Sequence, residues 1–574
     1  MDRDNNDEYA QDMLYLLGHG QGMSRSRWAA VVLTATALAI GPVSWVPASA
    51  VSARPVAARP AGPAAQPDAG IDFPLHTSGA SIVGASGAPV KLDFVNWYGA
   101  ESPDYVVGGL EYQPVSEIIS QIVSTGFNGV RLPWSNQLWE SNPVVSSTLV
   151  AANPQFAGEH ARTIYEQVVQ DLAGAGLMVI LDDHNSDAEW CCSATDGNTL
   201  WYNSAYPQSA WVSDWESVVT QFKSIPQVIG VDLRNEPRAT ATWGGGSATN
   251  WQAAAELGGD AVQSADPNML IFVEGVNYAL DLSGVASLPV TLTDSGHLVY
   301  EAHDYGFDHS GVTGYDDYVS QIQSGWGYLV GKDPLWVGEF GTCNTAASCV
   351  TSTDTADNGV WFSAVTRYLG YHNLNWSYWP VNGTESDGLS GQGRTYGATE
   401  TYGILNPQWN GAALPALVSS LQAIQPACAA APLASGTYYI RNVHSGDVVD
   451  IPQSHTAQGT DLDQWPLNDG ANQQWKVTSL GCGRYEITSV LDGESIDING
   501  QSASNGARVD QYDYWGGGNQ QFVIAKDSAG SYTFSSINSM DPVEVPGQST
   551  TAGTLLDQWQ ANGGANQEWT FVPS

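Results

Sequence analysis

A chain of 574 residues exceeds what one hydrophobic core supports, so two or three domains are expected. Its 19 basic and 59 acidic residues give a formal charge of −40, which repels phosphate backbones and argues against nucleic acid as a partner. With 43% hydrophobic residues folded cores can form, and 22 tryptophans and 25 tyrosines offer flat faces that suit sugar rings as well as ordinary packing.

Arg25 and Arg27 precede the apolar run WAAVVLTATALAI, and Ala48-Ser49-Ala50 offers a small-residue cleavage site. Residues 1–50 therefore read as an export signal, which makes a secreted, extracellular protein the expectation. The run is too short to span a bilayer, so no stable membrane anchor is expected. The residues before Met23 are acidic and polar, unlike the usual start of such a signal, and Met23 is the expected first residue of the precursor. Export permits disulfides. Six cysteines allow fifteen pairings, among which sequence does not choose. Cys343 with Cys349, on one short loop, is the first expectation; adjacent Cys191 and Cys192 are expected to bond elsewhere or stay reduced. No zinc-site spacing and no HExxH occurs, so neither metal nor other cofactor is implied.

Residues 51–70 are an Ala/Pro-rich linker. Over 71–426 strand-like and helix-like runs alternate, as in a parallel sheet with crossover helices. Strands are predicted near Val90–Tyr98, Phe127–Pro133, Met178–Asp183, Val228–Leu233, Met269–Glu274, Leu298–His303, Leu335–Glu339 and Leu374–Trp379. Between them SEIISQIVSTG, ARTIYEQVVQDLAGAG and DNGVWFSAVTRYLGYH carry apolar residues at helical spacing. After Glu274 little periodicity precedes Pro289. Eight strands in this length predict an α/β fold of the (β/α)8 TIM-barrel kind. A short linker, 427–434, leads to 435–574. There GTYYI, GRYEI and GSYTF start at Gly436, Gly483 and Gly530, 47 residues apart, and LDQW, VDQY and LDQW keep the same phase. Three in-phase copies without helical periodicity predict one symmetric all-β domain.

VIGVDLRNEP and PLWVGEFG each end a buried strand in a glutamate, Glu236 and Glu339, 103 residues apart. A carboxylate there costs desolvation energy unless a site uses it. Isolated salt bridges account for one such run more readily than for two. Paired carboxylates are what glycosidic cleavage needs. The other strand ends present Asn96, Trp97, Arg131, His184, Asn235, His303, Tyr305 and Trp379. Asp182 and Asp183 point to opposite strand faces, so their run is not a metal site.

In order, GVRLPW, ILDDHN, VDLRNEP, VYEAHDYG, WVGEFG and SYWPVN fall at strand ends. Over 71–426 this set resembles glycoside hydrolase family 5, the cellulase-type retaining glycosidases, and TLWYNSAY and LIFVEGV are similar to its bacterial endo-β-1,4-glucanase branch. The resemblance implies Glu236 as general acid/base and Glu339 as nucleophile. It implies Arg131 keeping Glu339 ionised, Tyr305 bonded to the same glutamate, and Asn235 on the sugar 2-OH. His303 would sit beside Glu236, His184 would line the subsite of the reacting sugar, and Trp379 would lie beneath that sugar. Trp376 is a rival platform, and Trp97 stands beside an outer subsite or simply packs. Trp190, Trp201 and Trp243, in rim loops, are further stacking candidates. Burial and approaching negative charge are expected to raise the Glu236 pKa. The chain departs from the family in the Gly-rich insert GTESDGLSGQGRTYGATETYGIL, which leaves the preferred glycan open.

Residues 435–574 resemble a ricin-B-type β-trefoil lectin. Each lobe of that family can bind a sugar through an early acid, an aromatic fifteen residues on and a following Asn. The positions here are Asp450, Trp465 and Asn472; Asp497, Tyr512 and Asn519; and Glu544, Trp559 and Asn566. Asp463, Asp510 and Asp557 stand where relatives often hold Gln. Trp475, Phe522 and Trp569 are expected in the core. The preferred reading is a monomeric endo-acting β-glucanase whose tail holds polysaccharide. A β-mannanase on the same barrel and a non-catalytic lectin are the rivals.

Overall fold

Runs such as VIGVD and LIFVE are apolar on both faces, as strands buried between a barrel interior and a ring of helices must be. In the computed structural model eight of them pair in parallel: β1 (Asp93–Asn96), β2 (Gly129–Ser135), β3 (Met178–Asn185), β4 (Val228–Asp232), β5 (Leu270–Glu274), β6 (Leu298–His303), β7 (Leu335–Phe340) and β8 (Asn375–Tyr378). β8 pairs with both β7 and β1, and the barrel closes. All eight predicted strands are present, none displaced by more than three residues at either end. The structure describes residues 70–351, 358–386, 395–425, 433–481, 484–502, 504–526, 530–539 and 541–574. The predicted export signal, residues 51–69 of the linker, Cys428 and Cys482 lie outside them.

Alternation sorts each strand's side chains. Val130 and Leu132 of β2 face the helices, while Arg131 between them faces inward with Asp182 and Asp232. Lower in the barrel Phe94, Ile180, Phe272, Val299 and Trp336 fill the interior. Leu75 and Ile82, from the hairpin His76–Ser78 with Ser81–Val83, pack onto that cluster. The barrel thus has an apolar foot and a charged mouth.

The predicted helical runs fold as Val115–Ser124, Ala161–Gly174 and Gly359–His372; the first buries Val115, Ile118, Ile119 and Ile122, one stripe at helical spacing. Between β5 and β6 there are only two 3-10 turns, Ser283–Ala286 and Ser295–His297. Asn277, Tyr278 and Ala279 all have positive φ there, which no right-handed helix accommodates. Among the described residues no helix is long and apolar enough to cross a membrane.

Beyond the last barrel helix, Pro415–Ala423, the chain is antiparallel β-structure from Gly436. Its core repeats in phase: Ile440, Ile487 and Phe534; Val449, Ile496 and Val543; Leu462, Val509 and Leu556; Trp475, Phe522 and Trp569. Each lobe contributes the same positions to one shared interior, the predicted trefoil.

Candidate active site

Glu236 lies four residues beyond β4 and Glu339 within β7, both at the strand C-terminal rim. One carboxylate oxygen of each and one ring nitrogen of His303 all lie within 4.8 Å of one another. Each glutamate is at least nine-tenths buried.

Arg131 organises the floor. Its Nη1 donates to Glu339 Oε1 at 2.7 Å and to Asn96 Oδ1 at 3.0 Å. Its Nη2 donates to Asp232 Oδ2 at 2.6 Å, Asn235 Oδ1 at 2.9 Å and Glu274 Oε1 at 3.2 Å. Asp182 is 3.2 Å away. Burial works against this cation, but Asp182, Asp232 and Glu339 raise its pKa well above the ordinary value. Tyr305 completes the setting of Glu339, donating its hydroxyl to Oε2 at 2.9 Å.

His303 Nδ1 stands 3.0 Å from Glu236 Oε1 and 3.7 Å from Glu339 Oε2. Burial disfavours its charged form, yet Glu274, Glu339 and the bond to Glu236 raise it well above the usual histidine range. The expectation of a raised Glu236 is corrected accordingly. Burial does push its carboxyl up, but the hydrogen bond and charge of His303, with Arg238, outweigh burial and leave it lowered. The two groups therefore share one proton as a pair, the shifts favouring the ring over the carboxyl. His184 differs: burial lowers it to about 3, so its ring is neutral, and Nδ1 is 2.7 Å from Asp182 Oδ2.

The aromatic floor of the mouth gathers Tyr98, Tyr305 and Trp379, with Trp190 and Tyr402 against them. Trp379 lies nearly parallel to Tyr98, centroids 5.3 Å apart, and to His184, 5.5 Å away. Trp376 is wholly buried among Phe127 and Phe340, so Trp379 is the aromatic at the mouth. Trp97 is corrected to packing: it is fully buried, and its indole N–H goes to Gly108 O. Alternation turns Trp97 outward and brings its neighbour Tyr98 to the site. Trp201 is likewise core, bonded to Gln208, while Trp190 and Trp243 keep part of their surface exposed.

Asn235 accepts from Arg131, and its Nδ2 points at Cys191 Sγ and Cys192 Sγ, 3.4 and 3.5 Å away. These two cysteines are paired with each other, contrary to expectation. Cys343 and Cys349 take each other, as expected, which leaves each of the adjacent pair only its neighbour among the described cysteines. Glu274 belongs to the site although the sequence reading gives it no role, and Asp182, weighed there only as a metal ligand, belongs to it as a partner of Arg131 and His184. LIFVE ends in a buried glutamate just as the two catalytic candidates' strands do, and that signal was available.

In the tail the three predicted triads assemble. Asn472 Nδ2 donates to Asp450 at 2.7 Å, Asn519 to Asp497 at 2.6 Å, and Asn566 to Glu544 at 3.1 Å. Trp465, Tyr512 and Trp559 are 45%, 43% and 43% exposed, whereas Trp475, Phe522 and Trp569 are buried in the core. Asp450 faces Asp463 across the ladder; burial raises them to about 6 and 7, the latter also through the charge of Asp450.

The cellulase profile of glycosyl hydrolase family 5 matches residues 83–382, which span the barrel. The chain belongs to glycosyl hydrolase family 5. A ricin-type β-trefoil lectin domain-like profile matches 429–512 and 518–574 of this glycoside hydrolase. An endoglucanase of Paenibacillus polymyxa is 35% identical over 332 residues, 54% of this chain and 80% of that protein. The major extracellular endoglucanase of Xanthomonas campestris pv. campestris is 30% identical over 348 residues, 57% and 66% of the two chains. The solved catalytic domain of the major endoglucanase from Xanthomonas campestris pv. campestris superimposes with TM-score 0.53 at 28% identity, covering 61% of this chain and 99% of that one. A cellotetraose complex of the Pyrococcus horikoshii endocellulase has TM-score 0.53 at 25% identity, covering 62% and 99%.

Proposed function

We propose that this family 5 hydrolase is a secreted, retaining endo-β-1,4-glucanase, with Glu236 as acid/base and Glu339 as nucleophile, and that its trefoil holds the enzyme on polysaccharide. The observation that carries the catalytic reading is the approach of the two carboxylates to within 4.8 Å at their nearest oxygens. Retention calls for carboxyl groups about 5–5.5 Å apart, and inversion for roughly 6.5–9.5 Å with room for a water between them. The β-glucan reading rests on the endoglucanase relatives and on the cellotetraose bound by the Pyrococcus horikoshii protein. Secretion rests on the N-terminal signal, Arg25 to Ala50.

Arg131 and Tyr305 aim Glu339 at the anomeric carbon. As substrate displaces water, the proton on His303 passes to Glu236 and from there to the leaving oxygen, while Glu339 forms the glycosyl ester. Water then attacks the ester, giving its hydroxyl to the sugar and its proton to Glu236, and the proton returns to His303. Asn235 and Trp379 stand where the reacting sugar would lie. Proton NMR of cello-oligosaccharide cleavage tests this: the β-anomer appears first, and Glu339→Gln abolishes release. An initial α-product, or hydrolysis surviving Glu339→Gln, overturns it; faster release from mannan than from carboxymethylcellulose overturns the substrate.

A further inference from the structure

Glu236 occupies a backbone conformation that side chains rarely adopt, with φ at +47°. Its N–H is held there by Glu274, whose Oε2 accepts it at 2.6 Å. The other oxygen of Glu274 stands 3.2 Å from Arg131 Nη2 and 3.2 Å from His303 Nε2. Both contact carboxylates of the catalytic candidates: Arg131 bonds Glu339, and His303 faces Glu236 and Glu339 through its other nitrogen. Glu274 itself is fully buried at the end of β5 and touches no open part of the cleft.

We propose that Glu274 is a positioning residue for the hydrolytic reaction, fixing the left-handed turn that aims Glu236 across the gap and holding the His303 ring against Glu236 from its far nitrogen. This rests on the assignment of Glu236 as acid/base. The ionisable groups facing Glu274 are Arg131 of β2, Asp232 of β4, and Glu301 and His303 of β6. Burial drives its carboxyl well above the ordinary range against the opposing charge of His303. His303 is raised in its turn against burial by Glu274, Glu339 and the bond to Glu236, so the carboxyl and the ring, 3.2 Å apart, titrate as one pair. A barrel needing only to fold would be served by an apolar residue in that interior.

The test uses the full chain with Glu274→Gln, which keeps an oxygen for the Glu236 N–H while removing the titratable carboxyl beside His303, and Glu274→Leu, which removes both. On cellotetraose, kcat is expected to fall about tenfold in the first and about 100-fold in the second, with KM little changed. The alkaline limb of kcat/KM should move to lower pH in both. With an aryl cellobioside whose leaving group needs no proton, the loss in kcat/KM, which reports the first bond cleavage, should nearly vanish. Equal losses on both substrates, or an unmoved alkaline limb at intact melting temperature, would overturn the proposal. Should Glu274→Leu not fold, Glu274→Gln alone decides. Hydrolysis surviving Glu339→Gln would instead sink the catalytic assignment itself, whatever the Glu274 variants do.

Discussion

Nδ1 of His303 stands 3.0 Å from Oε1 of Glu236, and both side chains are nearly shut off from solvent. Two such groups titrate as a unit, and their shared proton belongs to the pair. His303 is raised and Glu236 lowered, so the pair keeps its proton to higher pH than a lone carboxyl would. Activity needing that proton is full below the raised histidine value and is lost as pH climbs through it. Replacing His303 by Gln removes the cation, and the alkaline limb of kcat/KM should move down in pH, with a loss on the order of 100-fold at the optimum. An unmoved limb would place the essential proton elsewhere.

Adjacent Trp97 and Tyr98 make a paired test of which aromatic supports the Trp379 platform. Tyr98 stacks on Trp379 and donates its hydroxyl to Glu400 Oε2 at 2.6 Å. Tyr98 is itself buried, so it acts through Trp379: Tyr98→Ala should raise KM for cello-oligosaccharides about tenfold by removing the ring stacked behind Trp379, a contact that contributes on the order of 1 kcal/mol. Trp97→Ala should instead lower stability by about 3–5 kcal/mol in urea unfolding, with KM of the surviving folded enzyme unchanged. The reverse pattern would return Trp97 to the site.

The contrast also marks how far sequence reaches. Glu236 and Glu339 are visible because each ends an apolar strand where a carboxylate has no cheap reason to be. The threefold tail is visible because its core positions recur every 47 residues. Which of two neighbouring aromatics turns inward follows from alternation once Asn96 is known to face Arg131, and that anchor comes from the structure. Sequence does not carry the net direction of a pKa either: burial alone would raise Glu236, and only the placement of His303 reverses the sign. Pairing of Cys191 with Cys192 depends in the same way on three-dimensional placement.

Gly338, just before Glu339, is set by close approach. A methyl group there would fall 1.6 Å from Glu301 Oε1, the oxygen that also accepts from Trp336 Nε1 at 3.1 Å. Glu301 is wholly buried and cannot swing to solvent. Gly338→Ala should therefore destabilise the barrel by about 2 kcal/mol or more, read as a lower urea midpoint at unchanged slope, and activity should fall with the folded fraction. Wild-type stability would show that the charged layer rearranges freely.

The three exposed tail aromatics separate adhesion from catalysis. Trp465, Tyr512 and Trp559 are exposed, each in a lobe with its own acid–Asn pair, so if the tail holds glycan as proposed, it has three weak sites to offer. Replacing all three by Ala should weaken retention on insoluble polysaccharide by about 100-fold, whereas any single replacement should cost only severalfold. Hydrolysis of soluble carboxymethylcellulose should not change. Trp569→Ala is the control: its indole is buried and donates to Val543 O at 2.9 Å, so the loss should appear as unfolding of the tail. Retention unaffected by the triple replacement would mean that the exposed rings are not the adhesive surface, and that the repeat serves some purpose other than holding glycan.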